Sequence, residues 1–240
     1  MEKDIIIISD QPDYLVINKP AGLLVHGASH IKEKTLVDWL LEKYPAISQI
    51  GEDLERPGIM HRLDKDVSGL MVIAKSQAAY DSLKEQFKTR TVNKEYTALV
   101  YGKILKDEDE INFPIKRSTQ GFKMAAVPKS FLEKNPDANV RNAITRLEVI
   151  KRFINFTLLK LTIKTGRTHQ IRVHLFAYGY PIVGDNLYVN KQSKLKNKKY
   201  NLGRVFLVST HLEFNDLSGE RQSFSVGLPE NLQEFLVQVK

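Results

Sequence analysis

Short apolar runs separated by turn residues restrict the fold of this chain more than any other feature. Ile5–Ser9 and Tyr14–Lys19 read as two strands joined by Asp10-Gln11-Pro12-Asp13, and Pro20-Ala21-Gly22 turns the chain after them. Lys94–Tyr101, Ile111–Ile115, Ala143–Lys151, Phe156–Lys164 and Arg204–Phe214 read as further strands. The spacing predicts a helix over Thr35–Tyr44, capped by Thr35, with Leu36, Leu40, Leu41 and Tyr44 on its inner face. A second helix runs from the cap Ser76 to Thr89 with Ala79, Tyr80, Leu83 and Phe87 inward. A third covers Thr168–Tyr178, and Pro229–Val239 closes the chain with Pro in its first turn. Strands outnumber helices and follow one another directly. That pattern favours an α+β architecture, a central and largely antiparallel mixed sheet flanked by helices and loops, over a doubly wound one. Lys129–Val140 reads as a loop or short insertion. With no repeat and no Pro/Gly-rich linker, residues 1–240 read as a single domain.

A chain of 240 residues with 42% hydrophobic and 27% charged content has the composition of a soluble globular protein. No apolar run is long enough for a membrane span, and the acid-flanked N-terminal run is too short for a signal peptide, so a cytoplasmic location and no membrane partner are expected. The absence of cysteine excludes disulfide scaffolds, thiol nucleophiles and cysteine-based zinc sites. Charge is uneven. Residues 1–120 carry 17 Lys and Arg against 19 Asp and Glu, whereas residues 121–240 carry 19 against 9. Such asymmetry points to a polyanionic partner. The densest basic run, Lys191–Lys199, reads by itself as a solvated, mobile loop; an RNA-facing role for it needs support from elsewhere.

Met60–Lys75, MHRLDKDVSGLMVIAK, places an imidazole, a guanidinium and two carboxylates between strand-like apolar segments. Either this is an exposed hairpin loop or it holds a catalytic carboxylate at the mouth of a core. A second polar cluster, Lys164–His174, follows a strand and enters a helix, where Gly166 permits a tight turn. Arg167 and Arg172 there suit a phosphate or a buried carboxylate, and the spacing of His169 and Arg172 suits a shared helix face. Its alternative is a basic helix start with its own surface pairing. His61-Arg62-Leu63-Asp64 superficially matches a kinase catalytic loop, but no G-x-G-x-x-G loop and no Asp-Phe-Gly accompany it. There is no P-loop and no G-x-S-x-G elbow, and zinc base deamination would need cysteines. What remains is chemistry that a carboxylate performs without metal or cofactor.

Taken together, the motifs resemble those of the RluA-type RNA pseudouridine synthases, closest to members that act on large-subunit ribosomal RNA. The matching stretches are Asn18–His26, Met60–Lys75, Lys94–Gly102, Thr165–His174 and Pro181–Asp185, in the family's order and across most of the chain. The resemblance implies the pseudouridine synthase fold and conversion of uridine in rRNA or tRNA to pseudouridine, with no cofactor, no metal and no obligate protein partner, by a monomer. Asp64 matches the catalytic aspartate, Arg172 the basic residue that pairs with it, and Tyr96 the tyrosine that stacks on the uracil. Arg62 matches the residue that fills the gap left by the extruded base. His61 is expected to order the loop beside it, and Arg167 and His169 complete the expected RNA-binding set. Two departures stand out: no S4-like RNA-binding domain is expected ahead of Ile5, and Val67 occupies a position where many relatives have Thr. Two rival classes fit less well. A scaffold that binds RNA without catalysis would lack Asp64, Tyr96 or Arg172. A glycoside hydrolase needs a second positioned acid, and Asp66 is too close in sequence to assume that role.

Overall fold

The computed structural model describes residues 4–27, 33–119, 121, 123–135 and 139–239. In chain order its elements are β1 (Ile6–Asp10), β2 (Tyr14–Lys19), α1 (Leu36–Lys43), a 3-10 turn (Pro45–Gln49), β3 (Ser68–Ala74), α2 (Gln77–Thr89), β4 (Asn93–Tyr101) and β5 (Glu108–Ile111). They continue with β6 (Ile115–Arg117), β7 (Met124–Ala126), α3 (Lys129–Lys134), β8 (Thr145–Arg152), β9 (Phe156–Ile163), α4 (Gln170–Ala177), α5 (Lys191–Tyr200), β10 (Leu207–Asn215), β11 (Arg221–Ser225) and α6 (Glu230–Gln238). The architecture is α+β, as the strand-rich pattern implies. The chain divides into two compact units, Met1–Lys94 with Val208–Gly227, and Glu95–Leu207 with Leu228–Lys240.

In the first unit β1 and β2 form a hairpin, and β2 continues antiparallel onto β3 from Tyr14 opposite Ala74 to Lys19 opposite Gly69. Leu15, Val16 and Ile17 are buried, as is every residue of β3. Strands covered on both faces read as unbroken apolar runs, which is why they were easy to see. β10 joins β3 in parallel, Ser209 opposite Gly69, and pairs antiparallel with β11. Thr35 caps α1 through a capping box with Asp38, and Ser76 caps α2 by accepting from the Ala79 N–H at 3.2 Å. Two readings change here. Ile59 and Met60 lie in a loop, not a strand, so only one strand flanks the charged segment. β11 was not expected, because its alternating exposed and half-buried residues carry little apolar signal.

In the second unit β4, β9, β8 and β5 form an antiparallel series. The single strand expected over Ile111–Ile115 is two: β5 ends at Ile111, and β6 begins at Ile115 after Asn112-Phe113-Pro114 and pairs with β7. A proline lacks the N–H a continuing ladder needs. Within the expected loop Lys129–Val140, Lys129–Lys134 forms α3, while residues 136–138 lie outside the described residues. Lys191–Lys199 is not a loop but most of α5. Phe156, Tyr200, Phe206 and Phe235 pack edge to face at centroid distances of 5.3 to 6.3 Å, which ties α5 and α6 to β9.

Gly69 sits at φ +119, and a Cβ there would run into the backbone of Ser209 on β10. Both the left-handed backbone and the close strand approach therefore require glycine. Gly69→Ala is expected to cost about 3 kcal/mol or more. In thermal unfolding that is a fall in midpoint of roughly 6–12 °C for a chain of this size; an unchanged midpoint would show that the strands can part at no cost.

Candidate active site

Asp64 opens a tight turn in the first unit, its carbonyl accepting the Val67 N–H at 3.2 Å. Leu63 and Val67 are buried on either side and pin the turn to the core. Val67 is thus a packing residue. Beneath the turn lies Lys19, the last residue of β2 and 0% exposed. Its ammonium donates to the carbonyls of Pro20 and Leu23 at 2.9 Å and of Lys65 at 3.2 Å. The Gly22 N–H donates to the same Lys65 carbonyl at 2.8 Å. A buried ammonium is costly unless its donors are used, so these carbonyls fix the backbone one residue after Asp64.

Arg62, Lys65 and His61 of this segment have their own partners. Arg62 donates to His26 Nε2 at 2.6 Å, an acceptor consistent with His26 Nδ1 donating to the Gly27 carbonyl at 3.2 Å. Lys65 pairs with Glu33 at 2.6 Å. His61 turns inward: its Nε2 accepts the Val72 N–H of β3 at 3.1 Å, and its ring stacks on Phe87 at 4.6 Å. Lys94 Nζ lies 4.9 Å from the same Phe87 ring. Burial, reinforced by the Lys94 charge, pushes His61 down to about 3, and burial lowers Lys94 to about 8. His61 is therefore a neutral strut between the loop and β3.

In the second unit Tyr96 is buried on β4 opposite Leu161 of β9. Arg172 is 4% exposed and grips Asp185, 0% exposed, through Nε at 2.7 Å and Nη2 at 2.9 Å. Burial alone would raise the Asp185 carboxyl. The Arg172 hydrogen bond and charge, with the Tyr188 and Leu187 N–H groups at 3.0 and 2.8 Å, hold it below its usual value. The Tyr188 ring lies 5.4 Å from the Arg172 guanidinium carbon, and its hydroxyl meets His169 Nδ1 at 2.9 Å. His169 does not share the helix with Arg172: it is the N-cap of α4, at φ +53, and the helix starts two residues later than expected. Gln170 braces this turn, its Oε1 accepting from Thr165 Oγ1 at 2.7 Å and the Arg167 N–H at 3.1 Å. The Arg167 side chain donates to the Asn142 carbonyl at 3.2 Å.

Each unit thus gathers part of the expected set: His61, Arg62 and Asp64 in one loop, and His169 and Arg172 around Tyr188. Sequence reading assigned no role to Lys19, His26, Asp185 or Tyr188. Lys19 and Asp185 lie in the family-like motif stretches, and an isolated charge inside an apolar run was the available signal.

Because His61 is held neutral, its contribution to stability is present above pH 6.5 and is lost as pH falls toward 3. Chemical denaturation across this window should show a loss that His61→Asn, which keeps an acceptor but does not titrate, reduces. Identical pH profiles for the two proteins would deny His61 its strut role.

Comparison with known proteins adds independent support. The family model described as RNA pseudouridylate synthase matches residues 13–177. The chain is 36% identical over 234 residues to the uncharacterized RNA pseudouridine synthase YlyB of Bacillus subtilis (strain 168), covering 97% of this chain and 72% of that one. It is likewise 36% identical over 241 residues to ribosomal large subunit pseudouridine synthase D of Buchnera aphidicola subsp. Acyrthosiphon pisum, covering 97% and 73%. Among solved structures, human RNA pseudouridylate synthase domain containing 1 superposes with a TM-score of 0.74 at 26% identity, over 95% of this chain and 84% of that one. The motif order, the α+β fold and these matches converge: the chain belongs to the RNA pseudouridine synthase family, isomerases that act on RNA.

Proposed function

We propose that Asp64 is the catalytic carboxylate of a cofactor-independent uridine isomerase whose substrate is large-subunit ribosomal RNA. The observation that carries this reading is the anchoring of the Asp64 turn by buried Leu63, Val67 and Lys19, which is far more than an exposed hairpin loop requires. In the reaction the N1–C1′ bond breaks, the uracil turns, and a C5–C1′ bond forms. The C5 proton is lost and N1 regains one, so no group enters or leaves overall. Asp64 serves either by adding to C1′ or by taking the C2′ proton to give a glycal; both need an ionised carboxylate. Arg172 is proposed to orient that carboxylate. Its guanidinium is held in one orientation by the Nε and Nη2 bonds to Asp185. Tyr96 stacks on the uracil, with its hydroxyl near the departing C5 proton.

A base within a stack must leave it before its glycosidic bond is reachable, at a cost of a few kcal/mol. Arg62 is proposed to fill the vacated space, exchanging His26 for RNA, while His61 holds the loop. Arg167 and His169 are proposed to contact the RNA strand. The ribosomal target draws on the function that the Buchnera relative is named for. No helix among the described residues is long and apolar enough to cross a membrane, and we place the enzyme in the cytoplasm, acting as a monomer with residues 1–240 as one catalytic domain.

Asp64→Asn is near-isosteric but can act neither as nucleophile nor as base. It should abolish pseudouridine formation while RNA affinity stays within a few-fold, and appreciable turnover by the purified variant would sink the assignment. Mapping pseudouridine in cellular RNA with and without the protein tests the target, since a loss of sites from tRNA alone would overturn the ribosomal assignment. Tyr96→Phe keeps the ring and removes the hydroxyl, so binding should persist while single-turnover product formation slows by tenfold or more. An unchanged rate would reduce Tyr96 to packing.

A further inference from the structure

The catalytic reading leaves the most basic segment of the chain without a task. α5, KQSKLKNKKY, carries five lysines and no acid in ten residues. It is a built element rather than a loose one. Asn190 and Ser193 form a capping box at its start, with bonds of 2.8 and 3.0 Å, and Asn201 ends it in the left-handed conformation at φ +44. Ser193 is buried, and Tyr200 packs on Phe156 and Phe235 at 5.3 and 5.8 Å. Lys196 lies 5.3 Å from the Tyr101 ring. Asn197 accepts from the Tyr101 hydroxyl at 2.7 Å and the Gly184 N–H at 2.9 Å, and donates to the Asp185 carbonyl at 2.7 Å. The inner face of α5 is therefore fastened to the segment that carries the partner of Arg172.

Its outer face is different in kind. At about 100° per residue, Lys194, Lys198, Lys191, Leu195 and Lys199 sweep an arc of roughly 140° opposite Ser193 and Asn197, and all five are exposed. Among the described residues no carboxylate pairs with these four lysines. Like charges three and four residues apart on one face repel, a cost that a row of anions relieves. The unit that contains α5 has 22 Lys and Arg against 11 Asp and Glu, so the helix sits within the basic half of the charge distribution.

We infer that the outer face of α5 is a docking surface for the sugar–phosphate backbone of the RNA substrate, and that Asn197 is a positioning residue linking it to the Asp185–Arg172 pair; this rests on the RNA-isomerase reading above. Phosphate contacts of this kind set register and add affinity without reading sequence. Asn197 then fixes the docking face relative to the guanidinium.

The test uses the full chain, an RNA oligonucleotide spanning a mapped site, and the quadruple variant Lys191→Gln, Lys194→Gln, Lys198→Gln and Lys199→Gln. Glutamine is a helix former comparable to lysine, so α5 should persist. Affinity should fall. The slope of log affinity against log salt should flatten by about 0.7 for each single-strand phosphate that is no longer neutralised, or about 0.9 for each duplex phosphate. Single-turnover rate at saturating RNA should stay within about two-fold, and the corresponding quadruple arginine variant should restore the slope. Asn197→Ala should do the converse, lowering the saturated rate by tenfold or more with a wild-type salt slope. An unchanged slope in the glutamine variant overturns the docking surface, including the case in which that variant instead fails to bind polyglutamate, which would make the face a site for acidic protein. A proportional fall of rate and affinity in Asn197→Ala overturns the positioning role. Asp64→Asn in the same titration keeps the two readings apart: turnover by that variant overturns the catalytic assignment, whereas a flattened slope in the glutamine variant supports docking whatever Asp64 does.

Discussion

The bidentate pair between Arg172 and Asp185 is the interaction on which the second unit is organised. Taking both ions out of water costs several kcal/mol each, and only close, fully used geometry repays it. Asp185 meets that condition by accepting from Nε, Nη2 and two backbone N–H groups at once. The dependence spreads outward from there. Asn197 holds the Asp185 carbonyl and the Gly184 N–H, Tyr188 faces the guanidinium, and His169 meets the Tyr188 hydroxyl. Removing either ion would leave a buried, uncompensated charge, and the two bonds fix the orientation of Arg172. A rigid guanidinium is what a preorganised electrostatic site requires.

The first unit meets the same demand with a buried cation set among backbone dipoles. The Lys19 ammonium donates to carbonyls of three residues, one of them inside the Asp64 turn. Those dipoles offset the desolvation of the ammonium. The turn is thereby held through a backbone carbonyl one residue after Asp64. His61 shows a complementary strategy. It sits three residues upstream, kept neutral by burial and accepting the Val72 N–H, so that it supports the loop without adding a charge to it.

Much of this was legible in the sequence where the determining interaction is local. Thr35 and Ser76 announce their helices because an N-cap acts across three residues. β2 and β3 are visible because their double-sided burial leaves unbroken apolar runs. The Asp64, Tyr96 and Arg172 positions were reached by motif order, and nothing in local periodicity could have singled them out. Misreadings fell where tertiary contacts decide. α5 has almost no apolar residues, so hydrophobic periodicity is silent; what stabilises it is a capping box, Tyr200 among the aromatics and Asn197 on distant backbone. The start of α4 was displaced because His169 takes a left-handed conformation that its sequence neighbours do not signal. Asp185 ends one of the family-like motifs yet was given no role, because its partner lies 13 residues away in sequence.

Charge is divided between the units in a way that bears on the chemistry. The unit containing Asp64 has 14 Lys and Arg against 17 Asp and Glu, whereas the other has 22 against 11. RNA affinity grows with the number of phosphates neutralised, and that affinity offsets the cost of base extrusion. A strongly positive surround would, however, depress the basicity and nucleophilicity of a carboxylate, since stabilising its charge lowers its tendency to share it. The basic excess belongs to the unit other than the one that contains Asp64. Under the proposed assignment of Asp64, one well-oriented cation serves a catalytic carboxylate better than a diffuse basic field, and the geometry that Asp185 imposes on Arg172 suits it to that proposed role.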